Sequence, residues 1–124
     1  MNITLWIVQG LLAVVFGMGG LVKAVRPQKR LYDQGLTWVE DLSPGGVKAI
    51  GAVEVAGGVG LVLPAVTGVA PVLVPLAACG IGLIMVGAAV LHVRRGETPF
   101  IAVNLALLAA AAFVAWGRFG PYAF

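Results

Sequence analysis

A chain of 124 residues that is 60% hydrophobic and only 10% charged, with a mean hydropathy of +1.04, is too apolar for a soluble domain of its size. One cysteine, Cys79, and one histidine, His92, exclude an intramolecular disulfide and a Cys-x-x-Cys pair, and argue against a zinc or iron–sulfur site built by this chain alone. The net charge of +3 means less than its placement along four apolar runs, each near the roughly 20 residues that a bilayer core demands.

The first run, Ile3–Val25, lacks a basic leader and a small-x-small cleavage site, so it is expected to remain in the mature protein and not to leave as a signal peptide. Trp6 suits one interface and Lys23 the other. Gln9, Ala13, Phe16, Gly20 and Lys23 follow the helical repeat and form one stripe that gathers the polar residues of this helix. Lys23 has two readings: an end-of-helix lysine reaching for head groups, or a partner for an acid inside the membrane.

The only long polar stretch, Arg26–Gly46, comes next. Pro27 suits a helix first turn, and Leu31, Gly35, Trp38 and Leu42 recur at helical spacing, which predicts a short amphipathic segment in the interface. Asp33, Glu40 and Asp41 read as solvated residues, and Ser43–Gly46 as a turn.

The second run, Gly46–Leu63, holds one carboxylate, Glu54, in its interior. A carboxylate in hydrocarbon is costly and marks a functional-site hypothesis by default. It shares a face with Ile50, Gly51, Gly57, Gly58 and Leu61, and glycines admit a second helix closely, so Glu54 is expected to point into protein with a partner. Pro64 is expected to end this helix. The third run, Ala70–Val93, contains Pro71 and Pro75, which imply a late start or a kink; its face through Ala78, Gly82, Met85 and Ala89 ends at His92. Cys79 reads as packing. The fourth, Phe100–Phe119, sets Asn104, Leu108, Ala111, Ala115 and Arg118 on one side.

The fold expected from these runs is all-α: a single domain over residues 1–124 forming an integral membrane up-down four-helix bundle, with a short interfacial segment between helices one and two. Lys23, Arg26, Lys29, Arg30, Lys48, Arg94 and Arg95 belong to one end and only Arg118 to the other. The positive-inside rule then puts the long loop in the cytoplasm and both termini outside. The basic cluster reads as a topology signal and contact with the lipid bilayer; no nucleic acid partner is implied.

Antiparallel threading brings Lys23, Glu54, His92 and Asn104 into the same half of the membrane, each on the small-residue face of its helix. These four are the candidate ligand-binding residues. Together they offer an acid, a base that switches near neutral pH, a cation and an amide, a set that suits a quinone or another polar-headed hydrophobic small molecule with apolar walls around its tail. A buried polar cluster that only holds the helices in register is an equal alternative. No metal site and no covalently bound cofactor is expected.

The stretch IGAVEVAGGVGLVLP with Gly51, Glu54, Gly57 and Pro64, the stretch from Pro71 to Glu97 with His92, Arg94 and Arg95, and Lys23 and Asn104 resemble the DoxX-like family of small four-helix membrane proteins. The resemblance implies a helical bundle in the bacterial cytoplasmic membrane, and for some relatives a role as membrane partner of oxidoreductases in quinone-linked sulfur and oxidative-stress handling. The leading reading is therefore a membrane accessory or anchor protein of a redox system, binding a quinone-like or lipid-like molecule around Glu54 and docking a redox partner protein through its basic end. It is more a non-catalytic subunit than a self-sufficient oxidoreductase. A structural or chaperone-like protein that binds other membrane helices is one alternative. A proton-coupled small-solute carrier, working as a homo-oligomer, is another.

Overall fold

In a bilayer every backbone amide needs a partner within its own segment, which leaves helices as the economical solution for an apolar chain. The computed structural model describes all 124 residues and contains helices and no strand. The elements are α1 (Asn2–Val25), α2 (Gln28–Asp33), a 3₁₀ turn (Thr37–Asp41), α3 (Pro44–Thr67), α4 (Leu73–Arg95) and α5 (Thr98–Phe119). α1, α3, α4 and α5 are each long and apolar enough to cross a membrane. They run up and down, so that both chain termini meet at one end and α2 with the 3₁₀ turn covers the other; these are called here the terminal end and the loop end.

Helix boundaries follow local chemistry. Ser43 Oγ accepts from Gly46 N at 3.0 Å, and Pro44, which has no amide to satisfy, starts α3. Pro64 does not end α3 as expected. The helix continues to Thr67 and stops at Gly68, whose φ of 73° is left-handed and whose amide donates to Pro64 O. The proline costs only the one bond its missing amide would have made, and near the end that forms instead, Thr67 Oγ donates to Leu63 O at 2.8 Å. α4 starts at Leu73, so Pro75 falls in its first turn, where amides have no helical partner. α5 likewise starts before Pro99 and not after it.

α1 packs most extensively on α3, and α4 on α5; the two pairs meet along α3 and α4, with a smaller contact between α1 and α5. Glycine sets the first pairing. A Cβ at Gly20 would lie 2.6 Å from Gly51 O, and one at Gly58 would lie 3.0 Å from Gly17 N and Ala13 O, so the two backbones touch where side chains would hold them apart. The interior between the pairs is filled by Leu12, Phe16, Leu61, Val74, Ile81, Met85 and Val114. Large apolar side chains such as Ile3, Leu11, Leu83 and Val103 face outward, as a lipid-facing surface requires.

The expected single amphipathic segment is instead two short pieces. Gly35, at φ 102°, breaks the chain between α2 and the 3₁₀ turn, and Pro27 precedes α2 without entering its first turn. The pieces fold back onto the bundle and bury Leu31, Trp38 and Val39 against Val47. Gln28 Nε2 ties them together by donating to Val39 O and, at 2.8 Å, to Leu42 O. Glu40 and Asp41 stay about half exposed, as expected of solvated residues, and each also lies 2.9 Å from an Arg95 guanidinium nitrogen, which joins this cover to the end of α4.

Candidate functional site

Close packing of α1 on α3 decides where the intramembrane acid goes. Gly20 and Gly51 bring the helices together one turn from Lys23 and Glu54, and Lys23 Nζ reaches Glu54 Oε1 at 2.7 Å. Glu54 is 3% exposed while the Lys23 side chain keeps 19%, so the acid is sunk in protein and the lysine stem leads back toward the loop end. The Lys23 ammonium also lies 5.4 Å from the centre of the Trp38 ring, a cation–π distance. Lys48 Nζ caps the same helix end by donating to Ala24 O at 3.1 Å.

From the other pair, α4 contributes His92 and α5 contributes Asn104. The His92 ring stacks on Phe100, with centroids 4.8 Å apart and planes at 11°, and meets Trp38 edge-on at 6.2 Å. His92 Nδ1 lies 2.9 Å from Glu97 Oε1; a carboxylate only accepts, so Nδ1 carries the proton of that bond. The His92 ring, then the Thr37 hydroxyl and Arg95, hold the Glu97 carboxyl below its ordinary range, against burial, which pushes it up. Asn104 is 8% exposed, and its Nδ2 has no hydrogen-bond partner. Such an orphan donor is uncommon in a buried position.

Lys23, Glu54, His92 and Asn104 all line one cavity of about 420 Å³ at the loop end. Its other walls come from the cover, through Leu36, Trp38 and Leu42, and from the bundle, through Ile50, Ile84, Met85, Leu91 and Phe100. The chamber is thus mostly apolar with a few polar groups, the usual composition of a small-molecule site. Its polar groups divide by pair: an ion pair from α1 and α3, and an imidazole and a free amide from α4 and α5.

Glu97 and Phe100 complete the His92 surroundings, and sequence reading does not single them out. His92 and Glu97 are five residues apart across Gly96, whose left-handed φ of 71° ends α4, so no helical repeat links them. A second polar cluster at the terminal end is equally hidden. Arg118 Nε donates to Gln9 Oε1 at 2.6 Å, and Gln9 Nε2 donates to Leu61 O at 2.8 Å. The available signal was the isolation of Arg118 as the one basic side chain of its end, opposite a glutamine on the α1 stripe. No group of histidine, cysteine or acidic side chains is arranged to hold a metal ion.

A family model described as the DoxX-like family matches residues 7–114 of the chain. No curated protein and no solved structure matches it.

Proposed function

The chain belongs to the DoxX-like family, and on that premise we propose that this multi-pass membrane protein is an accessory subunit of a redox system that holds a quinone-like or lipid-like molecule in the loop-end cavity. The observation that carries the reading is Asn104, a buried residue whose Nδ2 is unpaired and which lines a chamber together with Lys23, Glu54 and His92. A buried amide without a partner is costly, and a ligand carbonyl at that position removes the cost.

On this reading each wall of the chamber has its own part. Asn104 donates to a carbonyl on the head of the ligand. Lys23 has three donors and spends one on Glu54, so it has capacity for a second acceptor. Trp38, Phe100 and the His92 ring supply flat faces for a ring, and Ile84, Met85 and Leu91 enclose apolar substituents. The hydrogen bond from His92 to Glu97 fixes the orientation of the imidazole at the edge of the chamber. The protein's part in this reading is to bind and orient; a partner protein docked on the basic loop end carries the electrons. The same reading places the loop end in the cytoplasm of a bacterial cell, because Lys29, Arg30, Lys48 and Arg94 lie there.

Native mass spectrometry of the detergent-extracted protein, incubated with a short-tailed benzoquinone, tests the proposal. Wild type is expected to retain the quinone or a co-purified lipid, and folded Glu54→Gln and Asn104→Leu proteins to lose it. Retention of neither by wild type, with a change of subunit number in Glu54→Gln, overturns the reading in favour of a protein that assembles other helices.

A further inference from the structure

Arg118 stands near the end of α5, 3% exposed, and no acidic side chain pairs with it. Its hydrogen-bond partners are all neutral: Gln9 Oε1 at 2.6 Å, Asn2 Oδ1 at 2.7 Å and Tyr122 O at 2.9 Å. The guanidinium carbon lies 4.1 Å from the Phe124 ring centre and 5.6 Å from that of Trp6, so aromatic faces shield it from water on two sides. Nη2 is buried and donates to nothing. A guanidinium does not shed its proton to escape burial as a lysine does, so a buried one calls for a negative charge.

The space for that charge is present. Arg118 lines a separate cavity of about 280 Å³, between the start of α4 at Pro71 and Val72 and the last residues, Phe119, Ala123 and Phe124. α4 begins here at Leu73, so the positive end of its dipole faces the same region. Two positive features therefore converge, and the five acidic side chains, Asp33, Glu40, Asp41, Glu54 and Glu97, all belong to the loop-end half. We propose that this cavity binds an oxyanion of the phosphate class, either the phosphodiester of a lipid head group or free phosphate, with the Arg118 guanidinium as its counter-charge. The site is independent of the loop-end chamber and does not rest on the quinone reading.

The test titrates the full chain in detergent with phosphatidylglycerol and counts bound lipid by native mass spectrometry. Wild type is set beside Arg118→Gln, beside Val72→Trp, which fills the cavity and leaves the arginine in place, and beside a Lys29→Gln/Arg30→Gln control at the opposite end. Wild type and the control are expected to hold one lipid that Arg118→Gln and Val72→Trp bind at least about tenfold more weakly, the scale of a lost charge-assisted bond. Diacylglycerol, which has the tails without the phosphate, should not compete. Displacement of that lipid by inorganic phosphate assigns the site to the free anion, and resistance to displacement assigns it to the head group. Unchanged lipid affinity in a helical Arg118→Gln protein overturns the proposal; should that variant lose its helical circular dichroism, unchanged affinity in Val72→Trp does so.

Discussion

Gly20 and Gly51 stand back to back across α1 and α3, so close that a Cβ on Gly51 would lie 2.5 Å from Gly20 O and 2.6 Å from Ala24 N. Backbone atoms cannot swing aside as a side-chain tip does. Gly51→Ala is therefore expected to push the two helices apart and to destabilise the protein by about 1–3 kcal/mol, the usual range for overpacking. Gly10→Ala, where nothing lies within 4 Å, should be silent. Thermal unfolding in detergent followed by circular dichroism compares the two, and equal melting temperatures would refute the close approach.

The Lys23–Glu54 pair at 2.7 Å predicts strong non-additivity. Either single change, Lys23→Met or Glu54→Gln, leaves a charge or an acceptor without its partner, and the double change removes both. The double variant should be more stable than the sum of the singles by about 1–2 kcal/mol, less than a fully enclosed pair because Lys23 remains 19% exposed. Additive losses in a double-mutant cycle would show that the pair does not act as a unit.

Asn104 separates a ligand site from a scaffold contact. Asn104→Leu removes an unpaired buried donor, so its stability should match or exceed wild type by up to about 1 kcal/mol. Retention of the benzoquinone should fall by about tenfold, since the donor it loses is the one offered to the carbonyl. Marked destabilisation on unfolding would instead identify Asn104 as structural glue.

Glu97 predicts a pH dependence. Its carboxyl, held low by His92, Thr37 and Arg95, binds a proton less readily in the folded than in the unfolded chain. Between the two values the unfolded state carries more protons, so stability rises with pH. The contribution is complete above the unfolded value of about 4.3 and is lost as pH falls through the lower folded value. Melting temperatures across the acidic range should therefore fall more steeply for wild type than for Glu97→Gln, and parallel curves would contradict the assignment.

Much of this was legible in the sequence. Apolar runs of spanning length and short loops dictate the bundle, and the helical repeat places Lys23, Glu54, His92 and Asn104 toward one axis, where the structure finds them around a single cavity. Distances were legible only where glycine implied them, as between α1 and α3. Pro64 misleads because a proline removes a single helical hydrogen bond, and the residues after it continue the helix to the left-handed Gly68. The cover misleads for a different reason: Leu31, Trp38 and Leu42 keep the helical spacing, but the left-handed Gly35 lets the segment fold back and turn Trp38 inward. Arg95 with Glu40 and Asp41, and Arg118 with Gln9 and Asn2, join residues far apart in sequence, and periodicity carries no information about such partners.

The division of the bundle into α1 with α3 and α4 with α5 bears on the size of molecule the chamber admits. Its walls are drawn from both pairs, so it sits on their seam, and the seam is the weaker contact. Because the Lys23–Glu54 bridge lies wholly within the α1–α3 pair, a change in the angle between the pairs would reshape the chamber without opening that bridge.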